Sequence, residues 1–170
     1  MNPEIAYTVS QLTFIVVKAN TTSHAGKLAG AQARCQTSPP KRILVVADDM
    51  FILQVNAAVL SSFGYQTRTA EDGAAAWEAL QANGYDLLIT DNNMPRVSGV
   101  ELVKKARSAH MTLPVILASG DLPALELEGN AWLQPVVPLR KPFTDDALLG
   151  TVKKVLRDTD RAREQIELAH

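Results

Sequence analysis

The sequence predicts an α/β fold, a doubly wound five-stranded parallel sheet with helices on both faces. Three observations carry that prediction. Short apolar runs, of the kind found in strands covered on both sides, recur from Lys41 onward. Longer stretches with helical spacing separate them. Alternation at this spacing requires right-handed crossovers, which lay successive strands parallel and put helices on both faces.

The elements follow in order. Ile43-Leu44-Val45-Val46 is the first strand. Asp48 or Asp49 then caps a helix whose apolar positions Ile52, Val55, Val59, Leu60 and Phe63 follow helical spacing, and Gly64 closes it. Residues 65–69 read as a second strand. Residues 72–83 read as an Ala-rich helix with Trp77 and Leu80 facing inward, ended by Gly84. Leu87-Leu88-Ile89-Thr90 is a third buried strand that leads into Asp91, and residues 100–109 form a helix. Residues 114–118 are the fourth strand. A short helix is expected within 122–133, opened by Pro123 and weakened by Gly129. Residues 136–139 are the fifth strand. Thr144 caps a last amphipathic helix through Leu156, frayed or extended to Leu168.

Before Lys41 the texture differs. Residues 1–40 have no sustained period and end in Thr37-Ser38-Pro39-Pro40. They read as a poorly ordered tail and linker, with one short strand or helix around residues 12–18. The expected organisation is therefore a linker over 1–40, a folded domain over 41–157, and a helix extension or tail over 158–170.

Composition narrows the function classes. A formal net charge of −1 gives no reason to expect a nucleic acid or an anionic membrane as partner. Cys35 is the one cysteine, so no internal disulfide is possible, which suits a reducing cytoplasm. The apolar stretch at 12–17 is too short to span a bilayer, and Glu4 is the only charge before it, against a signal peptide. His24, His110 and His170 show no metal-ligand spacing.

In a doubly wound sheet the binding crevice lies at the carboxyl ends of the strands. Asp48 and Asp49 follow the first strand, Asp91 ends the third, Ser119 ends the fourth and Lys141 follows the fifth. Crowded carboxylates repel unless a cation relieves them. Magnesium suits such a site, because it takes few carboxylates, several waters and a substrate phosphate. Phosphoryl transfer needs positioning and charge neutralisation, which magnesium, the Lys141 ammonium and the Ser119 hydroxyl would supply. Aspartate can itself be the nucleophile, giving an acyl phosphate. Taken singly, each residue also has a plainer reading: helix cap for Asp48, Asp49 or Ser119, loop start for Asp91, surface lysine for Lys141.

The ordered set is more specific than its parts. Asp48-Asp49, Thr90-Asp91-Asn92-Asn93-Met94-Pro95 with Gly99, Ser119-Gly120 and Lys141-Pro142-Phe143 together resemble the receiver domain of two-component response regulators, over residues 41–157. The resemblance implies a flavodoxin-like (βα)5 sheet with strand order 2-1-3-4-5. It implies Asp91 as phosphoacceptor, with Asp49 holding Mg2+ directly, Asp48 through water, and the Asn93 main-chain carbonyl and Asp91 as further ligands. It implies that Ser119 bonds the phosphoryl group and that Lys141 pairs with it, across a Lys141-Pro142 bond that is usually cis. The expected phosphodonor is a histidine kinase or histidine phosphotransfer protein, with an unknown downstream protein as target. Such a domain catalyses its own phosphorylation and dephosphorylation rather than turning over a separate substrate. It acts as a monomer or as a weak homodimer through the fifth strand and the helices flanking it.

One position departs from the family pattern. Receivers commonly carry an aromatic residue three positions before the lysine, and here that residue is Pro138. Trp132 is the candidate to take over the aromatic role. Pro138 also motivates a second expectation, an interaction module that works without phosphorylation. A hydrolase with an aspartate nucleophile is a third class, disfavoured because no second acid closely follows Asp91 and no cap insertion is present.

Overall fold

The computed structural model describes residues 39–120 and 131–168. The expected segment at 12–18, and the expected helix between the fourth and fifth strands up to residue 130, lie outside the described residues. The described elements are β1 (Arg42–Val46), α1 (Met50–Ser62), β2 (Gln66–Ala70), α2 (Gly73–Ala82), β3 (Leu87–Asp91), α3 (Gly99–Ser108), β4 (Val115–Ser119), a 3-10 turn at Ala131–Leu133, β5 (Val136–Arg140) and α4 (Asp145–Glu167). All strand pairs are parallel, in the order β2-β1-β3-β4-β5. The doubly wound, flavodoxin-like fold is the one expected.

Alternation along each strand splits the core into two layers. Ile43, Val45, Ile89 and Ile116 face one side and pack with Leu53 and Leu60 of α1 and Leu148 and Val152 of α4. Leu44, Val46, Leu88 and Leu117 face the other side and pack with Leu80 of α2 and Leu102 and Val103 of α3. Every residue of β3 and β4 is buried, as expected for inner strands covered on both faces. β2 lies at an edge and reads Gln-Thr-Arg-Thr-Ala, polar enough to discourage pairing with another chain.

The inward face of α1 is not the one that spacing suggested. Leu53, Asn56 and Leu60 are buried, while Ile52 and Val55 are each 37% exposed. Val59 and Phe63 are half-buried. The run from Met50 to Leu53 is apolar on every side, so helical spacing fits two adjacent stripes equally well. Trp77 is likewise only half-buried; it packs on the α2–α3 layer with the Lys105 ammonium 4.6 Å from its ring centre.

The helix starts are set by side-chain caps. Ser98 and Glu101 form a reciprocal capping box on α3, and Thr144 caps α4, which then runs unbroken for 23 residues. Asp72 caps α2 by accepting from Ala75 N at 2.8 Å, and it pairs with Arg96 of the β3–α3 loop. The Ala75 N–H bond, aided by Arg96, holds the Asp72 carboxyl below the usual carboxylate range. A depressed carboxyl stabilises the fold above its unfolded-state value and loses that contribution as pH falls through the folded value. Acidification should therefore release the Ala75 amide only below about pH 4. A two-dimensional NMR titration with the Ala75 amide shifting at or above that value would contradict this.

Arg107 of α3 gathers the chain ahead of β5. Its guanidinium donates to the carbonyls of Met111 (2.7 Å), Leu133 (3.0 Å) and Pro135 (3.3 Å), fastening the 3-10 turn and the start of β5 to α3. Burial lowers the Arg107 pKa from its ordinary value. Trp132 sits in that turn, four residues ahead of β5. Ser119 pairs with Arg140 at the opposite end of β5, about 13 Å farther along the strand. Trp132 therefore cannot fill the place beside Ser119 that Pro138 leaves without an aromatic ring. Pro138 itself is exposed on the edge strand, opposite Leu117. Lys141 N–H points to Ser119 O, so alternation turns the Pro138 nitrogen to the open edge, where no ladder bond is lost.

Candidate functional site

Sheet register decides which side chains meet. Val46 of β1 stands opposite Thr90 of β3, so Asp48 and Asp49 emerge from β1 beside the end of β3. Asp91 pairs with Ala118, and Ser119 with Arg140, so the residue after β5 is brought level with the end of β4. Lys141 N–H closes that edge by donating to Ser119 O at 2.9 Å.

Asp91 is the centre of the arrangement. Its carboxylate is almost fully buried, a position that requires partners. One oxygen accepts from Asn93 N at 3.1 Å, and the other is ion-paired with Lys141 Nζ, which reaches it across β4. The bond from Lys141 to Pro142 is cis, as the resemblance implied. Ser119 is fully buried at the end of the intervening strand.

The acidic pair is more open. Asp49 caps α1, and one of its oxygens accepts from Phe51 N (2.8 Å) and Ile52 N (3.2 Å). Its other oxygen is not used by the cap. Asp48 and Asp49 are exposed, and among the described residues no three acidic, histidine or cysteine side chains gather into a group that could hold a metal ion by themselves. Carboxylates at neighbouring strand ends that form no cage of their own suit magnesium, which keeps waters and a phosphate in its shell, better than a structural metal. Asn93 is exposed in the loop after Asp91, with its backbone beside the carboxylate.

The loop after Asp91 is held by a residue whose role spacing did not reveal. The Asn92 carbonyl accepts from Met94 N (3.1 Å) and Gly99 N (3.2 Å), and its side-chain oxygen accepts from Val100 N at 3.2 Å. Asparagine after a strand is a general turn signal, but its link to a residue eight positions away is tertiary. Arg96, at φ 70°, ties the same loop to Asp72.

These features agree with the comparisons. A family model described as the response regulator receiver domain matches residues 43–153. The chain belongs to the response regulator receiver family. Receivers are modules of two-component signalling, and members of the family generally bind Mg2+. The sensor histidine kinase RcsC of Salmonella typhi is 38% identical over 112 residues, which cover 65% of this chain and 12% of that kinase. This receiver thus spans a small part of that relative's length. The Francisella response regulator 1452 receiver domain superposes with a TM-score of 0.63 at 31% identity, covering 70% of this chain and 98% of that one. The response regulator TrrA of Thermotoga maritima, in complex with Mg(2+)-BeF, superposes with a TM-score of 0.60 at 32% identity, over 68% of this chain and 98% of that one.

Proposed function

We propose that the receiver accepts a phosphoryl group on Asp91 from the phosphohistidine of a histidine kinase or histidine phosphotransfer protein. The observation that carries this is the buried Asp91 carboxylate held by Lys141 across β4, with Ser119 at the end of that strand. An Asp91 oxygen attacks phosphorus, the P–N bond to the donor imidazole breaks, and an aspartyl phosphate remains. Lys141 then neutralises one phosphoryl oxygen, and the Ser119 hydroxyl donates to another. Asp49, Asp48 through water, Asp91 and the Asn93 carbonyl would hold Mg2+, which when bound neutralises charge on the transferring group.

A protein donor is supported by the surface beside the acidic pair. Met50 and Phe51 are exposed, the latter by 65%, next to the outward Ile52 and Val55. Apolar residues clustered at one place mark a contact surface. Residues 41–157 are the signalling unit in this reading, joined to a linker over 1–40. No helix among the described residues is long and apolar enough to cross a membrane, and action in the cytoplasm belongs to the same reading.

Pro138 supports a second reading, in which the site binds magnesium but partner contact does not depend on phosphorylation. The test is incubation with a small acyl phosphate and magnesium, followed by intact mass and fragmentation. A gain of one phosphoryl group mapped to Asp91 is expected. Magnesium binding without any gain would leave the second reading in its place.

A further inference from the structure

A groove opens beside the phosphoacceptor, between the first turns of α1 and the chain that follows β5. Its volume is about 400 Å3, within the range of small-molecule sites. Ile52, Val55, Pro142 and Phe143 line it with apolar surface. Asn56, Lys141 and Asp145 are its polar members.

Asn56 is the unexplained residue. It stands on the inward stripe of α1, between Leu53 and Leu60. It is only 9% exposed, yet among the described residues its side-chain amide makes no hydrogen bond. No group among the described residues pairs with the amide and its atoms keep contact with the water of the groove, so its hydrogen bonds are open to a molecule that enters there. The amide offers one acceptor and two donors, and the groove is the space it lines.

We propose that this groove binds a small neutral molecule with an apolar body and a carboxamide-like edge. That edge pairs its C=O and N–H with the Asn56 amide, while the body covers Ile52, Val55 and Phe143. Charge in the groove favours a neutral ligand. The Lys141 ammonium is committed to Asp91, and the remaining ionised group of the lining, Asp145, repels anions. A bound molecule would abut Pro142, next to the lysine that serves the phosphoacceptor. The site needs no phosphorylation to be occupied, so its test stands apart from that of the proposed function.

The probe is benzamide, titrated into the full chain and followed by NMR, with benzoate and ethylbenzene as matched controls. Saturable shifts are expected at the Asn56 side-chain amide and at the backbone of Ile52 and Phe143. Both controls should bind at least about tenfold more weakly, the worth of one good hydrogen-bonded pair. Asn56→Leu should keep the unfolding midpoint and lose benzamide binding by a similar factor. If that variant does not fold, Asn56→Ser, which retains a polar group but not the paired edge, takes its place with the same expectation. Non-saturating shifts, benzoate binding as tightly as benzamide, or undiminished binding by the folded variant would each overturn the proposal.

Discussion

Replacing Asp91 with asparagine should abolish phosphoryl uptake while the protein keeps its fold. An amide oxygen is not a nucleophile toward phosphorus, so no residual reaction at that position is expected. The shape of the site survives, because an asparagine oxygen can still accept from Asn93 N. The cost falls on Lys141, which loses its counter-charge. Its side chain is about one-third exposed and can turn its ammonium to water. Because the charge left behind can reach water, the change in stability is expected within about 1 kcal/mol, although the Asp91 end of the pair is buried. Intact mass after incubation with an acyl phosphate reads the first effect, and urea unfolding reads the second. Equal phosphoryl gain in Asp91→Asn would mean that another residue is the acceptor.

Gly99→Ala is expected to damage the same site through packing alone. A Cβ at Gly99 would lie 2.4 Å from the Asp91 carbonyl oxygen, 2.7 Å from Leu117 Cδ1 and 3.1 Å from Asn92 Cα. The nearest atom is backbone and cannot swing aside. The Asp91 carbonyl also accepts from Thr90 Oγ1 at 3.0 Å, and Gly99 N–H is bonded to the Asn92 carbonyl, so both sides of the contact are anchored. Relief requires α3 to move away from the end of β3. Overpacking of this kind costs about 1–3 kcal/mol, and here it also displaces the backbone that carries Asp91. Urea unfolding should show the loss, and phosphoryl uptake should fall with it. Gly150→Ala in α4 is the matched control: a Cβ there meets nothing within 4 Å, so helix propensity predicts a gain of roughly 0.5–1 kcal/mol. Wild-type stability and uptake in Gly99→Ala would show that the β3–α3 loop is more pliable than its hydrogen bonds imply.

Both predictions rest on residues that the sequence exposes to different degrees. Asp91 stands out because four apolar or β-branched residues precede it and a polar loop follows. Asn92 sits in the recognisable Asp-Asn-Asn-Met-Pro stretch and Gly99 four residues beyond it, but nothing local says that Gly99 accepts a close approach and that Asn92 bridges to α3. Those facts depend on how α3 lies against the ends of β3 and β4. Pro138 is legible as a departure from the aromatic pattern, and the edge position of β5 explains why the sheet tolerates it. Trp132, by contrast, looks close to the site in sequence and is carried to the other end of β5 in space.

What the sequence determined by itself is the set of elements, their parallel arrangement and the strand ends that bear Asp48, Asp49, Asp91, Ser119 and Lys141. These follow from period and polarity, which are local properties repeated along the chain. Only the tertiary structure decided that Lys141 reaches Asp91, that α1 turns Leu53 and Asn56 inward instead of Ile52 and Val55, and that Asn56 is left without a partner among the described residues. The reason is physical. A helix apolar on more than one side has no preferred face until the sheet it packs against selects one, and an ion pair fifty residues apart in sequence exists only after the strands carrying its members are in register.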